Sequence, residues 1–139
     1  MNRNLEAALG SLKKRLENAS NIIICDPYIL SEGKHGNNYA DLMLRVFPAS
    51  LESLTFIDSD KHPNERLLLE IKQKKPQVKV CRFFQNQIHD RFWVIDSKQA
   101  ITIGTSFNSL GNKATLINDM SDNDFNAFWE LLNQIVILD

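Results

Sequence analysis

Three times in its first 84 residues the chain passes from helical spacing into a short apolar run, and after the third run apolar runs follow one another with no helix between them. That rhythm constrains the fold more than any single residue. Parallel strands need a long crossover, whereas antiparallel neighbours need only a turn. Leu5, Leu9, Leu12 and Leu16 recur at helical intervals among lysines and arginines, which predicts an amphipathic helix over 3–18. Residues 21–30 are dense in β-branched side chains and read as a strand, closed by Asp26-Pro27 and the glycine-bearing loop SEGKHGNN. A second helix is expected over 39–47, stopped by Pro48, and a strand over 51–58. Pro63 opens a third helix that runs to 74, and residues 77–84 are strand-like again after Pro76.

Two strands then follow with no helix between them, 88–95 and 100–107, joined by Asp96-Ser97-Lys98-Gln99. A last strand is expected over 113–119. Ser121 with Asp124 forms a capping pair for a final helix. On that helix Phe125, Phe128, Trp129 and Leu132 make one stripe, which reads as a face packed on a sheet rather than a ligand platform. The expected fold class is therefore α/β: a parallel βαβ part followed by a meander, with helices flanking a mixed β-sheet. One domain over residues 1–139 is expected, since that length suffices for one core and shows no repeat or linker.

Charge limits the partners. With a formal net charge of −1 the molecule is not built for bulk attraction to polyanions, so any such contact must come from a local patch. No run approaches the ~20 apolar residues that span a bilayer. MNRNLEAALGSLKKRL lacks an apolar signal core, and the expected compartment is the cytoplasm. Cys25 and Cys81 lie inside apolar runs and read as buried free thiols.

Chemistry concentrates in QIHDRFWVIDSKQAITIGTSFN, residues 87–108. Alternation along a strand puts His89 and Arg91 on one face with Trp93 and Ile95, and Phe92 and Val94 on the other. A hairpin through 96–99 would bring Ser106 and Asn108 beside them. An imidazole can attack phosphorus, a guanidinium can grip two phosphoryl oxygens, and hydroxyl and amide donors can hold a third. This set suits phosphoryl transfer through a phospho-histidine intermediate, with no metal and no cofactor. The same residues also admit a bland reading, with His89 a structural hydrogen-bonder and Arg91 paired to Asp90 at the surface.

His89-x-Arg91-x4-Asp96, then seven residues, then Gly104-Thr105-Ser106-x-Asn108 resembles the phospholipase D superfamily signature H-x-K-x4-D followed by G-S-x-N. The form HDRF…ID…IG-x-S…LG-x-K, with Asp26-Pro27-Tyr28 closing the first strand, is similar to a divergent branch of that superfamily. The branch includes the phospholipase D-like domain that ends microtubule-interacting-and-trafficking proteins, and small bacterial relatives. The chain departs from the signature in Arg91 for lysine, in one extra residue before Gly104, and in Thr105 between glycine and serine.

The resemblance implies a phospholipase D-like fold present as a single half-repeat, and a metal-independent phosphodiesterase. The small size, expected cytoplasmic location and lack of an evident membrane-insertion surface favour a nuclease over a lipid-acting enzyme. His89 would be the nucleophile in one subunit and the general acid in the other. Arg91, Thr105, Ser106 and Asn108 would hold phosphate, and Asp96 would support the strand end and the histidine. Because a complete site in this superfamily carries two motifs, the resemblance implies a homodimer with the site across its two-fold axis. The alternative is a module that binds phosphate, phosphoinositide or other anionic lipid, or nucleic acid, without turnover. It could equally be an accessory subunit of a larger complex in a mobile-element or antiviral system.

Lesser candidates carry their own bland readings. Asp58, Asp60, His62 and Glu65 read as a solvated loop with helix N-terminal acids, or as hard-metal ligands. His35 with Lys34 reads as an exposed loop that could touch a polyanion. The runs Lys72, Lys74, Lys75 and Lys13, Lys14, Arg15 read as helix C-termini, or as phosphate-backbone patches. Asn118-Asp119 is a weak downstream partner for the motif. There is no P-loop, GxGxxG or CxxC, which leaves nucleotide-kinase, dinucleotide and structural-zinc readings without support.

Overall fold

The computed structural model describes residues 3–31, 36, 38–110 and 116–135. Within them the chain forms four helices and six strands: α1 (Arg3–Arg15), β1 (Asn21–Cys25), α2 (Tyr39–Leu44), β2 (Ser53–Asp58), α3 (Glu65–Lys74), β3 (Lys79–Phe84), β4 (Phe92–Ile95), β5 (Gln99–Ile103), β6 (Ile117–Asp119) and α4 (Asp122–Ile135). The strands make one open mixed sheet in the order β3-β2-β1-β4-β5-β6. β1, β2 and β3 are parallel, with Asn21 beside Ser53 and Ser53 beside Lys79. β4 pairs antiparallel with β1, and β5 and β6 continue as a meander. The rhythm of the sequence is thus realised as expected.

Burial divides cleanly by strand parity. Trp93 and Ile95 join α1, α2 and α3 in the larger core, while Phe92 and Val94 join Cys25, Ile57 and α4 in a smaller one. Leu9, Leu12 and Leu16 are sealed in the larger core, and Phe125 and Leu132 in the smaller. Ser121 caps α4 as expected, its hydroxyl accepting from Asp124 N–H at 3.2 Å. α3 begins two residues after Pro63, because the Asn64 side chain accepts from Leu67 N–H at 3.3 Å and so sets the cap. Of the two thiols Cys25 is buried and Cys81 half-buried, and neither forms a disulfide.

Three expected strands are shorter than the apolar patterning suggests, each for a local reason. β1 stops at Cys25 rather than at residue 30, because the Asp26 carboxylate accepts from Tyr28 N–H at 2.9 Å and turns the chain. β4 starts at Phe92 rather than 88, because the buried Gln85 amide ties down the segment before it. Its oxygen accepts from Gln87 and Ile88 N–H at 2.9 and 2.8 Å, and its nitrogen donates to Ile88 C=O at 2.8 Å. β5 ends at Ile103, where Gly104 N–H turns to Leu116 C=O at 3.0 Å. β6 is described only from Ile117, and residues 113–115 lie outside the described set.

The β4–β5 hairpin is built on two left-handed residues, Asp96 (φ 52°) and Ser97 (φ 56°), with Lys98 N–H bonded to Ile95 C=O at 3.1 Å. That is the geometry of a primed turn, whose twist matches that of the flanking strands.

Candidate functional site

The C-terminal ends of β1, β2 and β3, the start of β4 and the end of β5 all meet at one edge of the sheet. At β1 the order of connection reverses, since β2 lies on one side of it and β4 on the other. Loops at such a switch point of an α/β sheet are where ligands collect. His89, Arg91, Gly104, Thr105 and Ser106 all lie here, as does Asp26.

Asp26 organises the edge. It is 1% exposed and accepts hydrogen bonds from three donors. The Ser106 hydroxyl lies 2.8 Å from each carboxylate oxygen, Phe107 N–H donates at 3.1 Å, and Tyr28 N–H at 2.9 Å. Burial pushes this carboxyl above its ordinary range, against the opposite pull of Tyr28 N–H, Phe107 N–H, the Ser106 hydroxyl and the Arg91 cation. One carboxylate therefore holds the end of β1 to a turn 80 residues away. Behind it Phe107 packs on Tyr39 and Trp93, with ring centroids 5.7 and 5.9 Å apart, and the Tyr39 hydroxyl donates to Ile29 C=O at 2.6 Å. Next to Asp26, burial and the neighbouring Asp26 and Asp90 charges push the Cys25 thiol up to about 12, so it is inert as a nucleophile at neutral pH.

Arg91 is anchored and still accessible. Its Nη2 donates to Gly104 C=O at 3.0 Å and its Nε lies 3.4 Å from Ile103 C=O, while Ile103 N–H returns a bond to Arg91 C=O at 3.3 Å. A guanidinium has five N–H donors, so these contacts orient it and leave others for an anion. The side chain is half-exposed, and His89 two residues earlier is exposed.

The structure corrects the sequence reading at several residues. His89 and Arg91 lie before β4 rather than within it, so strand alternation does not set their relation. Ser106 is not on a strand beside them; it faces inward to Asp26 and is 5% exposed. Thr105 is half-buried in the turn, and Asn108 falls in a short 3-10 turn, Phe107–Ser109, its side chain lying outside what the structure describes. Asp96 supports a strand end but not the histidine. It sits at the other end of β4, where one carboxylate oxygen accepts from Ser20 and Asn21 N–H, both at 2.9 Å. The motif thus splits, with Asp96 closing the hairpin onto the start of β1 while His89 and Arg91 serve the opposite edge.

The lesser candidates resolve likewise. Asp58 is fully buried and paired bidentately with Arg82 (2.7 and 3.0 Å), and Arg82 also bonds Asp60 C=O at 2.7 Å. Asp60 accepts from His62 N–H and the Ser31 hydroxyl, both at 2.8 Å, which with nearby Arg82 holds its carboxyl below the usual range. This is an ion-paired loop, and among the described residues no group of His, Cys, Asp or Glu is placed to hold a metal ion. Asp119 is not a partner of the motif; it pairs with Arg15 of α1 beside the far end of β5. His35 and Lys34 lie outside the described residues. A cleft of about 700 Å³ lies between α1 and β5, lined by Lys14, Arg15, Gln99 and Asp119, away from the Arg91 edge.

Sequence reasoning missed the structural weight of Asp26 and Gln85. Asp26 had a signal, a carboxylate directly after a β-branched run and before proline; Gln85 had none. No helix among the described residues is long and apolar enough to cross a membrane. No protein-family model matches the chain, and no curated protein matches it in sequence. Among solved structures it is similar to TrmBL2, an archaeal chromatin protein described as showing a novel mode of DNA binding. The identity is 13% and the TM-score 0.46, over 93% of this chain and 51% of that one. The chain thus spans about half the length of that protein.

Proposed function

We propose that the edge formed by Asp26, His89, Arg91 and the Gly104–Ser106 turn handles phosphodiesters. In this reading the chain is one half of a metal-independent phosphodiesterase of phospholipase D-like fold, acting on nucleic acid. The single observation that carries it is Arg91, held by two carbonyls and half-exposed at the switch point of the sheet, two residues from an exposed histidine. Arg91 grips two non-bridging oxygens. His89 Nε2 or Nδ1 attacks phosphorus, the leaving oxygen takes a proton from the second copy's equivalent group, and water then cleaves the phospho-histidine. Asp26 and Ser106 fix the turn that presents Gly104 and Thr105.

Incubating the purified protein with single- and double-stranded DNA and RNA in EDTA tests this reading. Cleavage that His89→Ala abolishes and Arg91→Ala lowers at least tenfold is the expected result. Identical behaviour of wild type and His89→Ala rules out the hydrolase.

One observation favours a second reading, binding without turnover. The Ser106 hydroxyl is committed to a buried carboxylate and so does not donate outward to a developing oxyanion. In that case Arg91→Ala weakens binding to the same nucleic acids, His89→Ala leaves it unchanged, and no product forms.

A further inference from the structure

Two exposed rings stand at the sheet edge that carries Arg91. Among the described phenylalanine, tyrosine and tryptophan residues only Tyr28 and Phe84 are exposed, at 58% and 44%. Tyr28 lies in the turn after β1, where its N–H donates to Asp26, and Phe84 is the last residue of β3. Register sets Phe84 in one row with Arg91. Phe84 pairs with Asp58, and Asp58 and Asp26 each come one residue after the pair Ile57–Cys25. Arg91 comes one residue before Phe92, the antiparallel partner of Cys25. The row therefore runs Phe84, Asp58, Asp26, Arg91, and three strand spacings of ~4.8 Å put its ends roughly 14 Å apart.

Both carboxylates inside the row are buried and committed, Asp58 to Arg82 and Asp26 to the Ser106 hydroxyl and Phe107 N–H. Neither presents a bare negative charge to an anion lying along the edge. The Arg82 guanidinium that holds Asp58 also lies over the Phe84 ring, 5.8 Å from its centroid, and so backs one face of it. A single exposed apolar side chain is ordinary. Rings that flank an anchored, accessible guanidinium match the way single strands are held, with backbone on cations and bases on aromatic faces.

We infer that this edge takes unpaired nucleic acid, with Phe84 the stacking position for a base a few nucleotides from the phosphodiester at Arg91. Tyr28 is a second ring beside the same path. In a duplex every base is already paired and stacked, so a ring at the sheet edge meets no base face and only the phosphate contact to Arg91 remains. Arg91 thus binds either form, and Phe84 selects the single strand. The inference rests on the nucleic-acid reading of this edge, but it requires binding and not turnover.

Fluorescence anisotropy with short labelled single strands of DNA and RNA, their blunt duplexes, and an abasic strand of equal length is the test. His89→Ala protein in EDTA serves as the background, so that no probe is cut. Single strands should bind at least tenfold tighter than duplexes or the abasic strand. Phe84→Ala in that background should lower single-strand affinity about tenfold and leave duplex affinity unchanged, with circular dichroism unaltered. Phe84→Trp should restore single-strand binding, which a merely structural role for the ring would not predict. Equal affinity for single strand, duplex and abasic strand overturns the inference, as does indifference to Phe84→Ala or a failure to bind any of the probes. Sensitivity to Phe84→Ala seen only with vesicles of anionic phospholipid overturns it too, in favour of a lipid surface. Cleavage of both forms that ignores Phe84→Ala would sink the stacking position and spare the phosphodiesterase. Single-strand binding that needs Phe84, with no cleavage by wild type, would do the reverse.

Discussion

Replacing Asp26 should do more damage than replacing His89, Arg91 or Ser106, and the structure sets the size of the effect. In Asp26→Ala the Ser106 hydroxyl and Phe107 N–H, both buried, lose their acceptor, whereas Tyr28 N–H is only part-buried and can turn to water. Each orphaned buried donor costs about 1–3 kcal/mol. Loss of the carboxylate also removes a desolvated charge, whose burial is the largest influence on its titration. The net loss should therefore fall at about 2–4 kcal/mol at neutral pH, close to 10 °C in Tm for a chain of this size.

Asp26→Asn separates hydrogen bonding from charge. The native carboxyl titrates above its unfolded value, so the folded state holds more protons than the unfolded state between those two values. Wild-type stability gains as pH falls through the folded pKa and is lost as pH rises through it; Asp26→Asn lacks that slope. All other titrations are common to both proteins and cancel in the difference. Urea denaturation of wild type, Asp26→Ala and Asp26→Asn, from the unfolded carboxyl range to neutral pH, measures both effects. The stability advantage of wild type over Asp26→Asn should grow toward acid. A cost below about 1 kcal/mol for Asp26→Ala, less than a single orphaned donor, or parallel pH profiles for wild type and Asp26→Asn, would refute the reasoning.

Three further outcomes follow from particular contacts. Arg82→Met leaves Asp58 buried without its cation and should cost about 3–5 kcal/mol; the double variant with Asp58→Leu should recover most of it, by chemical denaturation. Ser97→Gly relieves a left-handed φ of 56° in the hairpin turn and should raise stability by about 1 kcal/mol, read as a Tm increase in scanning calorimetry. Trp93→Phe removes a buried indole N–H that has no hydrogen-bond partner among the described residues. The relief of that orphan should offset the lost ring volume and keep the net change in urea unfolding within ~1 kcal/mol, well short of an ordinary large-to-small core substitution.

What the sequence determined by itself was whatever local physics settles. Leucine spacing made α1, Ser121 capped α4, and strand parity sent Trp93 and Ile95 to one core and Phe92 and Val94 to the other. The succession of crossovers followed by a turn separated the parallel half of the sheet from the meander. All of these depend on neighbours within a few residues, or on alternation that any strand imposes. The candidate site was legible in its residue types but not in its arrangement. The spacing of His89, Arg91 and Asp96 suggested one cluster, yet β4 carries Asp96 to the opposite end of the sheet and His89 stays outside the strand.

Tertiary structure decided three things. The Ser106 hydroxyl faces inward because a carboxylate 80 residues earlier is buried within reach of it. β4 is short because Gln85 satisfies the backbone that would have extended it. Asp58 is an ion-pair partner and not a metal ligand because the neighbouring parallel strand brings Arg82 alongside. Each is a hydrogen bond or charge pairing whose partner is chosen by strand register. Register is fixed only when the whole sheet assembles, so no local pattern of residues carries it.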